Sequence, residues 1–512
     1  MKSTFKGDLF GGVTAAIIAL PLALAFGVAS GLGASAGLWG AIILGFIASL
    51  FGGTLTQISG PTGPMTVVIA SSIVTLHSDL RLIVSMILLA GVFQIIFGAI
   101  KAGKFVQYIP YPVISGFMSG IGIIIIILQL KPLFGFDVDS NVIHTLITLI
   151  PKLDEMNIEA LLLGASALAI VYLTPQKISR YIPTPLLALV VLTVASLLLD
   201  LDVQKIGDIP SGLPPLVMPD FDLKLYSTVI SLAFTLAILG SIDTLLTSIV
   251  ADSITRTKHN PNKELIAQGL GNLCCGITGS VPGAGATMRT VINIKSGGTT
   301  RYSGIIHSIV LLLIALLLAP LASKIPLALL SGILIKVGID ILDYKFIKVW
   351  RESPKNDLLV MLSVFFITVF FDLMIAVGVG ILLACLLVVY RITKETDISL
   401  QDSKDYKDFV VPEGTRIIRI EGAFFFGSST FFESKINTIL DTQRIIIDIS
   451  SVPFVDLTAI FTLKEFIARL KDEGVEIAIV AKSKHTSKIM KFNQDKIFEG
   501  VKFFEKYSQA LA

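Results

Sequence analysis

A single carboxylate, Asp243, sits in the middle of the apolar stretch Gly240–Val250, G-S-I-D-T-L-L-T-S-I-V. An ionised carboxylate at the centre of a membrane helix costs at least ~2.5–3.5 kcal/mol, so its presence argues for a function. Thr247, four residues on, shares its helical face one turn away. Two other stretches are broken by Pro and Gly between long apolar runs: Ser59–Thr66, S-G-P-T-G-P-M-T, and Ser280–Thr290, S-V-P-G-A-G-A-T-M-R-T. A helix that starts inside a bilayer presents unpaired N–H groups and the positive end of its dipole. Two such starts, at Met65 and Ala286, face to face, favour a small anion, each by up to ~2 kcal/mol when partly buried. Thr62, Thr66 and Thr287 add hydroxyl donors, while Gly63, Gly283 and Gly285 let a ligand approach the backbone. Asp243, Thr247 and carbonyls freed by a broken helix make an all-oxygen cradle for Na⁺. A proton carried on Asp243, or an Asp hydrogen-bonded between helices, are the other uses of such a group. Arg289 either attracts the anion or pairs with a neighbouring carboxylate or carbonyl, and Asp252 and Asp372, near helix ends, read as wetted structural groups.

The elements that must position these residues are membrane helices. Of 512 residues 53% are hydrophobic and 15% charged, where a soluble domain has about 25% charged. The mean hydropathy is +0.82. A net charge of +3 is too small to suggest nucleic-acid binding, and no catalytic constellation supports an enzyme. Cys274, Cys275 and Cys385 lie in apolar runs with no metal spacing and read as small buried filler. The first apolar stretch reads as a membrane span rather than a cleavable leader.

Fourteen apolar runs follow one another: Val13–Ser30, Leu38–Leu50, Met65–Leu76, Leu82–Ile100, Val113–Leu130, Ala160–Leu173, Leu186–Leu199, Val229–Val250, Leu265–Ile277, Ala286–Ile294, Gly304–Leu321, Leu327–Ile341, Leu358–Phe371 and Leu373–Tyr390. A span needs ~20 residues, so Met65–Leu76 and Ala286–Ile294 predict half-helices. Alternate loops collect Lys and Arg (Lys101, Lys104, Arg256, Lys258, Lys345, Lys348) against Asp and Glu (Asp137, Asp139, Asp154, Glu155), which places both termini in the cytoplasm. Each broken segment is the third run of a set of seven. The pattern predicts a polytopic α-helical membrane protein of about 14 transmembrane segments in a 7+7 inverted repeat, about 8–200 and 225–391, joined by the polar linker Asp200–Lys224. Inverted repeats with interrupted helices are the sequence mark of a secondary transporter.

The transport domain is expected over 1–395, a linker over 396–411 and an α/β domain over 412–512. In the last, Thr415–Ile420, Arg444–Ile449 and Glu476–Ala481 read as strands. Ser428–Leu440 reads as a helix, and Leu457–Lys471 as another with a stripe of Leu457, Ile460, Leu463, Ile467 and Leu470.

Gly7–Ala16 (G-D-L-F-G-G-V-T-A-A), Pro61–Thr66 (P-T-G-P-M-T) and Pro282–Thr290 resemble the SulP anion transporters, and Asp448–Thr458 (D-I-S-S-V-P-F-V-D-L-T) resembles their STAS domain. The combination of I-D-T-L-L-T-S-I-V-A-D with P-G-A-G-A-T-M-R-T is most similar to the BicA-type sodium-dependent bicarbonate transporters within that family. The resemblance implies a core-and-gate fold in a cell membrane, with a cytoplasmic STAS domain that pairs two copies of the chain. It implies Na⁺ on Asp243, Thr247, Gly285 and Thr287, and bicarbonate or another small inorganic anion near Thr62 and Ala286, with Thr66 and Arg289 alongside. Proton-coupled transport of sulfate or a dicarboxylate is the alternative within the same fold. At the position after Asp456 that regulatory STAS relatives phosphorylate, this chain carries Leu457.

Overall fold

Each of the fourteen apolar runs folds as a helix. The computed structural model describes residues 5–104, 109–139, 141–179, 182–207, 213–214, 216–220, 226–371, 373–401, 414–429, 432, 442–506 and 509–510. The chain divides into two compact units, Met1–Ile381 and Leu382–Ala512.

The first half runs α1 (Phe5–Ala29), α2 (Ala34–Phe51), β1 (Ser59–Gly60), α3 (Gly63–Thr75), α4 (Leu80–Ala99), α5 (Tyr111–Leu133), the short α6 (Val142–Leu149), α7 (Ile158–Leu173), the single turn α8 (Gln176–Ser179) and α9 (Thr184–Leu198). The second half repeats the order with α10 (Tyr226–Thr255), α11 (Pro261–Ile277), β2 (Ala284–Gly285), α12 (Thr287–Lys295), α13 (Arg301–Ala322), α14 (Leu327–Ile341), the short α15 (Tyr344–Val349), α16 (Lys355–Phe370) and α17 (Leu373–Glu395). Among the described residues six helices are long and apolar enough to cross a bilayer alone: α1, α2, α4, α5, α10 and Ile375–Glu395 of α17. The remaining runs are shorter or interrupted. At 13 and 9 residues, α3 and α12 reach only ~20 and ~14 Å, too short to cross a bilayer core of ~30 Å.

The packing obeys the inverted repeat. As α4 packs on α10 and α11, so α13 packs on α1 and α2; as α16 packs on α5, so α7 packs on α14. Two bundles result, α1–α4 with α10–α13, and α5–α9 with α14 and α16. Membrane helices gain little from burying apolar surface against one another, so shape and internal hydrogen bonds specify this arrangement. Those bonds are visible at Asp8, whose Oδ1 accepts from the backbone N–H of Thr299 (2.7 Å) and Thr300 (3.0 Å), tying α1 to the start of α13.

Several expectations change. Cys275 is buried, but Cys274 is only partly so and Cys385 is exposed, because a membrane helix keeps an apolar face toward lipid as well as toward protein. The described part of the linker Asp200–Lys224 is docked: Ile206 N–H donates to Ile325 O and Leu327 N–H to Gln204 O, both at 2.9 Å. Asp372 lies outside the described residues, as do 402–411 of the linker expected over 396–411 and most of the helix expected over Ser428–Leu440.

The second unit carries a five-stranded sheet in the order β3 (Asp397–Gln401), β4 (Thr415–Glu421), β5 (Arg444–Asp448), β6 (Glu476–Val480), β7 (Lys502–Phe504). Strand β3 is antiparallel to β4 and the rest are parallel. The start of the expected linker is therefore an edge strand, held because Ile398 is buried against the core. Helix Leu457–Asp472 covers the sheet, capped by Asp456 Oδ1 accepting from Ala459 N–H at 2.8 Å. Ile460, Leu463, Ile467 and Leu470 are buried as the stripe predicts, whereas Leu457, in the first turn, is exposed.

Candidate functional site

Between the two bundles lies a cavity of about 280 Å³. Its walls are Leu22 and Phe26 of α1, Pro61–Pro64 at the start of α3, Asp243 of α10, Gly285–Arg289 at the start of α12, Met118 of α5 and Val337, Asp340 and Ile341 of α14. Both helix starts thus open on one space. The loops that precede them are clamped by an antiparallel bridge of two residues each, Ser59 opposite Gly285 and Gly60 opposite Ala284. Ala286 N–H donates to Ile58 O at 2.8 Å, and Ile58 N–H to Thr290 Oγ1 at 3.0 Å.

Neither helix start has a side-chain cap. Thr66 N–H returns to Thr62 O and Thr290 N–H to Ala286 O, both at 2.9 Å, which leaves the earlier N–H groups of each first turn without an intrahelical partner. Pro64 contributes none, so α3 offers fewer donors than α12. Asp243 Oδ2 and Thr62 Oγ1 are both buried without a hydrogen bond of ordinary geometry, and the Thr62 hydroxyl is the side-chain donor that faces the Asp243 carboxyl. The buried Thr247 hydroxyl donates to Gly285 O at 2.9 Å and lies 2.7 Å from Thr287 Oγ1, which itself is exposed. Thr247, Gly285 and Thr287 thus meet in one hydrogen-bonded group, and Asp243 shares the cavity wall with Gly285 and Thr287.

Two expected residues sit differently. Thr66 is one turn into α3 and lines a separate void of about 10 Å³ with Phe26, Ile125 and Gln129; its hydroxyl is unpartnered, but it does not reach the cavity. Arg289 pairs with a carbonyl and also faces the cavity. It lines the cavity, and its Nη2 donates to Pro61 O at 3.3 Å, while its Nη1 is buried without a partner. The glycines also act otherwise than expected. A Cβ on Gly283 would fall 2.0 Å from Gly60 O, and one on Gly285 2.4 Å from Gln57 Nε2. Their missing side chains let protein backbone and amide approach, while Gly63 and Gly285 also line the cavity. Asp252 is structural, accepting from His259 N–H at 3.0 Å.

The family assignment now has its geometry. The family model described as the sulfate permease family matches residues 5–364, and that of the STAS domain matches residues 406–510. The chain belongs to the sulfate permease family. It is 44% identical to the bicarbonate transporter BicA of Picosynechococcus sp., over 94% of this chain and 89% of the relative. Among solved structures, the transmembrane domain of a cyanobacterial bicarbonate transporter BicA aligns with a TM-score of 0.69 at 50% identity, covering 73% of this chain and 97% of that one. The murine Solute Carrier 26 family member A9 anion transporter aligns with a TM-score of 0.85 at 22% identity, covering 100% and 90%, a likeness of fold. The chain is a multi-pass membrane transporter with a C-terminal STAS domain.

Sequence reasoning missed the buried polar groups behind the cavity. Glu264, Gln268 and Asn272 of α11 are 1%, 0% and 1% exposed. They recur at i, i+4 and i+8, one stripe of a helix, and that period is the signal that finds them. Asn272 pairs in both directions with the Gly283 peptide, Nδ2 to Gly283 O at 3.0 Å and Gly283 N–H to Oδ1 at 2.9 Å, and so holds the loop ahead of β2.

Proposed function

We propose that this protein is a sodium-dependent bicarbonate symporter of a cell membrane, working by alternating access. The observation that carries the proposal is the unpartnered, buried Asp243 Oδ2, which opens on the same cavity as the two helix N-termini. A buried carboxylate oxygen without a donor of its own favours a cation, and two positive helix ends favour an anion. Na⁺ binds Asp243 and Thr247 with the Gly285 carbonyl and the Thr287 hydroxyl; bicarbonate binds between Thr62 and Ala286. Arg289 adds a positive charge behind the anion. The sequence likeness to bicarbonate transporters supports this choice of anion.

With one Na⁺ per monovalent anion no net charge moves, and a tenfold Na⁺ gradient, ~1.4 kcal/mol, supports about tenfold accumulation. The basic loops orient both termini and the STAS domain toward the cytoplasm, and the STAS domain pairs two copies of the chain. The test is uptake of labelled bicarbonate and sulfate into proteoliposomes, with and without a Na⁺ gradient. Bicarbonate uptake that requires Na⁺ is the expected result. Uptake driven by a proton gradient and competed by sulfate would replace this reading with the proton-coupled sulfate or dicarboxylate one.

A further inference from the structure

Glu264 is a second carboxylate buried in the spanning unit, and it does not touch the cavity. Its Oε2 accepts from the backbone N–H of Gly53 and Thr54, both at 2.8 Å. Its Oε1 accepts from Gln57 Nε2 at 3.0 Å and Gln268 Nε2 at 3.1 Å. Four donors on one carboxyl, two of them backbone groups that cannot reverse, suit the ionised form. All four are neutral, so the charge is solvated by dipoles and is not cancelled by a cation.

The network leads to the cation ligands. Gln57 Oε1 accepts from Ser248 Oγ at 2.9 Å, and Ser248 Oγ lies 2.8 Å from Thr54 Oγ1; Ser248 is the residue after Thr247. The Gln57 amide fills the space where Gly285 lacks a Cβ. Gln268 Nε2 also reaches Ser59 Oγ at 2.5 Å, and Ser59 is the bridge partner of Gly285. The Gly285 peptide is thereby fixed on every side: its N–H donates to Thr244 Oγ1 at 3.1 Å, its carbonyl accepts from Thr247, and its Cα rests on Gln57.

We propose that Glu264 is a positioning residue for the coupling cation: through Gln57, Ser248 and Gln268 it aims the Gly285 carbonyl and helix α10, and its uncancelled charge strengthens cation binding from behind. The proposal rests on the cation reading of Asp243 given above. It predicts a split between the two ligands that a mere structural brace does not produce. The cation requirement shifts, while anion affinity at saturating cation and the maximal rate stay near wild type.

The experiment measures half-saturation for Na⁺ and for bicarbonate separately, in proteoliposomes, for the wild type, Glu264→Gln, Gln57→Leu and Ser248→Ala. Glu264→Gln keeps the shape, since the facing Gln amides can turn to accept from it, and removes the charge. It should raise the Na⁺ half-saturation about tenfold, a size reached elsewhere by residues that touch neither ligand. Gln57→Leu, which breaks the relay and keeps the charge, should give a comparable shift, and Ser248→Ala, which removes the hydroxyl shared by Gln57 and Thr54, about threefold. A folded Glu264→Gln protein with unchanged Na⁺ half-saturation overturns the proposal, as does a lower maximal rate with both half-saturations unchanged. If Glu264→Gln does not fold, Ser248→Ala decides by the same criterion. Wild-type uptake that ignores Na⁺ is the failure of the cation reading instead, and the variants are then read against a proton gradient for the same shift.

Discussion

Helices α1 and α10 occupy equivalent places in the two repeats, and both wall the cavity. From α1 come Leu22 and Phe26; from α10 comes Asp243. Over Ala15–Phe26 the first helix has no polar side chain, whereas Gly240–Ser248 of the other carries Ser241, Asp243, Thr244, Thr247 and Ser248. The backbone is two-fold and the chemistry is one-sided. Symmetry alone supplies two facing helix N-termini, which suffices for an anion. In the proposed reading the cation site has no mirror image, and coupling then rests on side chains of one repeat only.

The comparison is tested hardest by removing that asymmetry. Asp243→Asn makes Gly240–Ser248 as uncharged as Ala15–Phe26 and leaves the helix ends in place. Breaking a buried ion pair costs about 3–5 kcal/mol, so apparent Na⁺ affinity should fall at least about a hundredfold and Na⁺-driven uptake should reach background. Folding is checked by size-exclusion profile and thermal melt. Unchanged Na⁺ dependence in this variant would sink the assignment.

Next in size is the coupling between the two sides. Without Na⁺ the Asp243 charge is uncompensated beside an anion site; with Na⁺ the local charge turns favourable. Each ligand should raise the other's affinity by the same factor, typically 5–150-fold, because coupling free energy is reciprocal. Bicarbonate half-saturation measured across a Na⁺ series should rise by that factor as Na⁺ is withdrawn. Bicarbonate affinity independent of Na⁺ would show that the symmetric and asymmetric parts do not share a site.

What the sequence disclosed follows the same division. The fourteen runs were legible because a bilayer demands unbroken apolar length, and α3 and α12 because theirs fell short. Asp243 stood out because nothing else in its run is charged. The bridge of Ser59–Gly60 with Ala284–Gly285 was not legible, since two residues carry no strand period. Glu264 escaped because an apolar run is trimmed at its first charged residue, so the run began at Leu265. The edge strand Asp397–Gln401 escaped for a related reason: the charges before and after it made it look like a linker.

Single hydroxyls should separate the two sides with smaller effects. Thr247→Val loses its bond to Gly285 O and its contact with Thr287, one oxygen ligand on the cation side. About 1–1.5 kcal/mol, or roughly 5–12-fold in Na⁺ half-saturation, is expected. Thr62→Val removes the hydroxyl that faces Asp243 from the other helix start and should raise bicarbonate half-saturation a few-fold, with Na⁺ changing less. Equal shifts in both ligands for both variants would contradict a one-sided cation site.

The smallest effect concerns a pair of lysines at matching helices of the two repeats, α5 and α14. Lys131 is 2.7 Å from Asp139, in the loop beyond α5, and Lys336 pairs with Asp340, which lines the cavity. Lys336→Met would leave the Asp340 charge uncancelled beside the anion site, so bicarbonate half-saturation should rise about threefold, more at low ionic strength. Lys131→Met should leave it unchanged. The Asp139 carboxyl is pushed up by burial, but the hydrogen bonds from Lys131, His144 and the Asn141 N–H and the Lys131 charge outweigh this and hold its pKa at about 2. A depressed carboxyl stabilises the fold above its ordinary value of 3.8, and the contribution disappears only as pH falls toward 2. Between pH 6 and 9, roughly, the Asp139 carboxylate therefore stays ionised, and any pH dependence of uptake in that window must survive Asp139→Asn. If that substitution abolishes it, the outer pair takes part in transport and the two lysines are not as unlike as their settings imply.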